Sequence, residues 1–219
     1  MIMISAFIEP SAAVPYSDQA TTILDLMMKG GVIMIPIVLL SLVTFYIFIE
    51  RMAYIKRTTA IEKGLIPSVL GDIKSGNSNN AVFRARNNQA SLGRILESGL
   101  EKIGKPQAEI ERNLETITNL EITKMEKNTG YLGIIAGIAP MLGFIGTISG
   151  VIKIFYNISL ADNISIGIIA GGLYQKMICS GAGLIVGVLA YAAYHYIQMR
   201  IDRYTIRLQE SLIEFLKAF

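Results

Sequence analysis

Thr147, Lys153, Lys176 and Ser180 stand inside two long apolar runs, Tyr131 to Tyr156 and Ile164 to Ile197, neither of which contains an Asp or Glu. A hydroxyl in such a place can order water around a proton or steady a carboxylate, and an ammonium there calls for an anion or water. A proton path normally needs an ionisable relay, and these helices offer no carboxylate. If protons pass, the carboxylate must come from a partner. A plainer reading stands beside this one: each hydroxyl bonds the carbonyl one turn back in its own helix, which membrane helices tolerate. Lys153 lies six residues to the outer side of Thr147 and is expected to snorkel. Lys176 lies one turn from Ser180, well inside its run. A partner carboxylate and a structural ion pair within an oligomer are both open for it.

The hydroxyls come with a pattern of small residues. Gly133, Gly137 (or Ala136), Pro140, Gly143, Thr147 and Gly150 recur every three or four positions and so share a face, as do Lys176, Ser180, Gly183 and Gly187. Gly146 to Gly150 and Gly183 to Gly187 are both small-xxx-small patterns, which let helices approach closely in lipid. Two such faces, each carrying a hydroxyl, predict a packed pair of membrane helices.

Composition sets the surroundings. Of 219 residues, 52% are hydrophobic and only 17% charged. Soluble domains carry roughly 25% charge, so a membrane protein is expected. The net charge of +3 is too mild to argue for nucleic acid. Residues 1–31 have no basic n-region and read as an outer segment, with Ser17-Asp18 capping an amphipathic helix that lies on the membrane surface or extends the first span. Span one is 32–50, with Pro36 in its first turns where the cost is small. Residues 51–128 mix basic and acidic side chains and form a helical insertion. Val82, Leu92, Ile95, Leu96, Leu100 and Ile103 fit one helix of it, and Ile110 to Met125 a second that runs straight into span two as one rod. Span two is 129–156, a short connection follows at 157–165, span three is 166–198, and a C-terminal amphipathic helix fills 199–219. The tail is rich in arginine, whereas the N-terminus and the 157–165 connection are nearly free of basic residues. The C-terminus and the insertion are therefore expected to be cytoplasmic and the N-terminus outside. The fold class is an all-α membrane protein of three transmembrane helices, with long helices extending into a cytoplasmic helical domain.

Other chemistry falls away. Gly181 to Gly187 superficially resembles a dinucleotide loop but lies within an apolar run with no preceding strand. Ser149 and His195, the only histidine, belong to opposite ends of the membrane; His195 joins Tyr191, Tyr194 and Tyr196 in an aromatic belt. Cys179, the single cysteine, is expected to act as a small apolar residue. No nucleophile–base pair or metal cluster is evident, so neither an enzyme nor a metal or other cofactor is expected.

Ala139-Pro140-Met141-Leu142-Gly143-Phe144-Ile145-Gly146-Thr147 resembles the span-two signature of the ExbB/TolQ/MotA proton-channel proteins, nearest the ExbB branch. Lys176 to Leu184, ending in Ser180-Gly181-Ala182-Gly183-Leu184, is similar to the family's span-three element. The resemblance extends from Asp18 onward. It implies a homopentameric ring in the bacterial inner membrane around a single-span partner of ExbD type, whose span supplies the essential Asp. It implies that Thr147 and Ser180 are the two pore-facing hydroxyls. It also exposes a departure: the family often carries a glutamate five residues before the second hydroxyl, where this chain has Gln175 beside Lys176. An amide neither carries a proton nor holds a charge. The function implied is a motor subunit that energises a TonB-like protein for outer-membrane transport. A TolQ-like role in envelope integrity and a non-conducting scaffold are the alternatives.

Overall fold

The computed structural model describes residues 31–60, 64–160 and 166–217, apart from the side chains of Ile168 and Gln175. The expected surface helix near Ser17-Asp18 and most of the outer connection lie outside the described residues. All elements described are helical: α1 (Met34–Thr58), α2 (Leu65–Lys74), α3 (Ser78–Asn87), α4 (Ser91–Leu100), α5 (Gln107–Glu126), α6 (Thr129–Leu160) and α7 (Ile166–Leu216). Three stretches are long and apolar enough to cross a membrane: α1, the α5–α6 stretch and α7. Their outward residues stay apolar, as with Ile35, Leu39, Leu42, Phe45 and Ile49 on α1. Surfaces of that kind belong against lipid or another chain.

Two cores divide the molecule. A small one in the membrane half joins Ile37 of α1, Ile135 and Ala139 of α6, and Cys179, Val186 and Ala190 of α7. A larger one gathers α2–α5 around the far end of α7, where Ile201, Tyr204, Leu208, Leu212 and Phe215 recur at helical spacing and are buried. The tail expected as a separate helix is the unbroken continuation of span three. Leu65–Lys74, not among the expected helices although Ile66, Val69, Leu70 and Ile73 fall at helical spacing, forms a further helix and contributes Leu65, Ile66 and Val69 to this core.

The insertion differs from expectation at two places. The single helix expected from Val82 to Ile103 is split, because Asn88 Oδ1 accepts the Ala90 N–H at 2.9 Å and turns the chain. Gly93 then sits so close to the end of α3 that a Cβ would lie 2.5 Å from the Asn88 carbonyl oxygen. The rod expected to continue from the insertion into span two is also interrupted. Lys127 leaves helical geometry and Asn128 takes φ 65°, a left-handed conformation that asparagine adopts more readily than most residues. Both neighbouring helices clasp this joint. Buried Arg51 of α1 donates from Nη1 to the Lys124 carbonyl at 3.2 Å, and Gln198 Nε2 of α7 donates to Glu126 Oε1 at 3.2 Å.

Helices α4 and α5 are tied by a buried carboxylate. Glu121 accepts from Arg94 Nε at 3.0 Å, again from Arg94 Nη2, and from Lys124 Nζ at 2.7 Å. Burial alone would raise its pKa, but the hydrogen bonds and charges of Arg94 and Lys124 outweigh it and hold the carboxyl below its ordinary value of 4.5. A lowered native pKa stabilises the fold at pH values above the ordinary one, and this contribution is lost as pH falls through the native value. We expect Glu121→Gln to destabilise the helical domain by about 1–3 kcal/mol at pH 7, since Arg94 remains half-exposed and can rehydrate. The gap to the parent should shrink below pH 4.5 in thermal melts. A gap that does not depend on pH would remove the carboxylate's role.

Candidate functional site

The close approach of α6 and α7 follows from the small residues that face each other. A Cβ on Gly183 would lie 2.6 Å from the Ala139 carbonyl oxygen and 3.0 Å from Gly143 Cα. One on Gly143 would lie 3.1 Å from Ser180 Cα, and one on Gly187 would lie 2.5 Å from Pro140 Cγ. Farther from the helical domain, a Cβ on Gly146 would meet Cys179 Sγ at 2.9 Å, so the thiol fills that notch. Backbone therefore lies almost on backbone along an antiparallel seam, where larger side chains would force the helices apart. Gly133 has Tyr194 at 3.9 Å, whereas Gly137 has nothing within 4 Å and faces open space. Of the two residues offered for that position, Ala136 is the one whose carbonyl lies against Gly187.

The seam fixes where the hydroxyls stand. On α6 the buried line runs through Ala139, Gly143, Gly146 and Gly150, and its Gly146 side faces α1, where a Cβ would stand 3.5 Å from Ile33 Cγ2. Thr147 falls on the other side by helical rotation. On α7, Ala182 and Val186 pack toward α1 and Ser180 falls opposite them. Thr147 and Ser180 are both half-buried and occupy the same edge of the helix pair, away from α1. Because Gly143 touches Ser180, Thr147 lies about one turn, ~6 Å, farther from the helical domain. Thr147 Oγ1 donates to the Phe144 carbonyl at 2.6 Å. Its proton is thereby committed to the backbone, and the group turns acceptor lone pairs outward. Such an acceptor suits a protonated carboxyl or a water carrying a proton. Ser180 Oγ has no hydrogen-bond partner among the described residues.

Lys176 takes a path of its own. Its stem lies across Gly150, so close that a Cβ there would be 2.1 Å from Lys176 Cγ, and its Nζ lies 3.9 Å from where a Cβ would stand on Gly31. The ammonium thus reaches the level at which α1 begins, on the α1 side of the pair. No carboxylate pairs with it among the described residues. Lys153 is exposed on α6. The side chain of Gln175 lies outside those described. Sequence reasoning missed the pairing of Cys179 with Gly146 and the clasp from Arg51 and Gln198. Only the position of Arg51, directly after an apolar run, hints at the latter.

The profile of the family described as "MotA/TolQ/ExbB proton channel family" matches residues 87–210, more than half of the chain. An ExbB homolog of Methanothermobacter thermautotrophicus, named for biopolymer transport, is 29% identical across 83% of this chain and 64% of its own length. An ExbB-like biopolymer transport protein of Synechocystis is 26% identical across 93% of this chain and 78% of its own. The Tol-Pal system protein TolQ of Haemophilus influenzae is 26% identical over a shorter stretch, 42% of this chain and 40% of its own.

Proposed function

This chain belongs to the MotA/TolQ/ExbB proton channel family, and from that premise we propose that it is the ring-forming subunit of a proton-driven motor that energises a TonB-like protein. The observation that carries the reading is the shared edge. Two hydroxyls, one presenting acceptor lone pairs, stand about one turn apart on the same edge of a glycine-tight helix pair whose apolar runs contain no carboxylate. Such an edge accepts a proton-bearing group but cannot relay protons alone. A single-span partner of ExbD type supplies the missing Asp, and the ring is a homopentamer that encloses it. Protonation of that Asp on the outer side and release on the inner side shift the partner relative to the ring. The chain sits in the bacterial inner membrane with its N-terminus periplasmic and its helical domain and C-terminus cytoplasmic. The arginine-rich stretch beyond span three and the base-poor outer segments support that orientation.

The ExbB-like relatives align over most of this chain, and the TolQ match covers less than half of it, which favours TonB-type transport over envelope maintenance. Growth on scarce iron after deletion of the gene separates the two roles. The motor reading itself is tested by proton flux into vesicles. The chain alone should conduct no more than bare lipid, and flux should appear when the partner is added and vanish when the partner's membrane Asp becomes Asn. Full flux from the chain alone would refute the borrowed carboxylate. A complete complex without flux would leave a scaffold.

A further inference from the structure

We propose that the seam between α1 and α7 binds one anionic glycerophospholipid in the leaflet nearest the helical domain. Two hollows, one following the other along the same two helices, make up the site. The first, of about 360 Å³, lies within the apolar lengths of both helices and is walled by Phe45 and Phe48 of α1 and by Leu189, Ala192 and Tyr196 of α7. One helical turn farther along the same two helices is the second, of about 140 Å³, bordered by Lys56 of α1 and by Arg200, Arg203 and Arg207 of α7. The junction is aromatic. Phe48 and Tyr196 have ring centroids 6.3 Å apart, and the Arg200 guanidinium lies 5.8 Å from the Tyr196 ring centre.

The order of these groups matches the order of chemistry along a phospholipid. The apolar hollow suits an acyl chain. Arg200 and Arg203 follow within a few residues of the last apolar turn, at the depth of the headgroup layer, which is on the order of 5–8 Å thick. The four cations are exposed, and none has an acidic partner among the described residues. No carboxylate lines the hollow. A choline or ethanolamine headgroup would bring a fifth cation into this cluster, whereas a phosphate with an uncharged alcohol leaves a net negative charge to meet it. Guanidinium groups also offer paired donors that fit phosphate oxygens. Charge therefore selects an anionic headgroup, and the adjoining apolar hollow selects a lipid over a free anion.

The chain contains no tryptophan, so Phe45→Trp places a single emitter in the apolar hollow. The full chain carrying it is reconstituted in phosphatidylcholine vesicles and titrated with brominated phosphatidylglycerol or brominated phosphatidylcholine, whose acyl bromines quench on contact. Quenching by the phosphatidylglycerol should show roughly five- to tenfold tighter association, since each basic side chain near the surface contributes about a fivefold factor. The double variant Arg203→Gln with Arg207→Gln, both on the exposed surface, should bring the two lipids to parity. Excess inorganic phosphate at constant ionic strength should leave the preference in place. Equal quenching by both lipids in the parent overturns the proposal, as does a preference that survives the double substitution. Displacement by inorganic phosphate would identify a free-anion site instead. An emitter that neither lipid quenches would mean that a neighbouring protein chain covers the seam.

Discussion

Gly183→Leu is expected to abolish recovery of the folded protein. The position leaves no space even for a methyl group, since a Cβ would stand 2.6 Å from the Ala139 carbonyl oxygen and 3.0 Å from Gly143 Cα. Both obstacles are backbone and cannot swing aside. Overpacking ordinarily costs about 1–3 kcal/mol when side chains can adjust. At this seam the helices must separate along their length, and every contact from Gly133–Tyr194 to Gly150–Lys176 weakens together. In lipid the loss is not offset by burying apolar surface elsewhere, because close packing is itself what drives helices together. Gly137→Leu is the control, because that position has nothing within 4 Å. Detergent-solubilised protein should elute as a single species and melt cooperatively for Gly137→Leu, and aggregate for Gly183→Leu. Equal behaviour of the two would show that the seam does not hold the helices together.

Thr147→Val is expected to lower partner-dependent proton flux about tenfold while leaving assembly intact. The substitution keeps the shape and deletes the oxygen that presents acceptor lone pairs beyond its bond to Phe144. Loss of one hydrogen bond, about 1–1.5 kcal/mol, at the step that limits proton passage corresponds to roughly a tenfold change in rate. Thr147→Ser retains the oxygen and should restore most of the flux. That rescue separates a role of the hydroxyl from a role of the side chain's volume. Flux from vesicles containing the whole complex, normalised to the amount of complex, is the measurement. Unchanged flux in Thr147→Val would remove the residue from the proton path.

Much of the fold is legible in the residues because lipid makes the rules strict. Three long apolar stretches leave little choice but helices, since an unpaired backbone amide in hydrocarbon is too costly. The recurrence of Gly143, Gly146 and Gly150, and of Gly183 and Gly187, at three- and four-residue spacing marks the faces that meet. The insertion is less legible because its breaks rest on asparagines. Asn88 turns the chain through one side-chain hydrogen bond, and Asn128 does so by taking φ 65°. Neither residue is a strong stop signal within a helical pattern, unlike the Gly104-Lys105-Pro106 break. The reach of Lys176 is hidden for a related reason. Sequence places its Cα well inside span three, but the stem is long, and the absence of a side chain at Gly150 opens a track along which it reaches the start of α1.

Two of the three routes from the membrane half into the helical domain differ in continuity, α1 being the third. One passes through the Lys127–Asn128 joint, where helical geometry is broken and Arg51 and Gln198 hold the end of α5. The other is α7, helical without interruption from Ile166 to Leu216. Ser180 and Phe215 ride on that same shaft, about 50 Å apart at 1.5 Å per residue. With no break in the helix between them, a displacement imposed beside Ser180 is carried along the same rod toward Phe215. Phe215 is fully buried in the core that gathers α2–α5. The core that gathers α2–α5 is therefore coupled to the hydroxyl edge along one rod, and α5 has a second, broken link to the membrane half at Asn128.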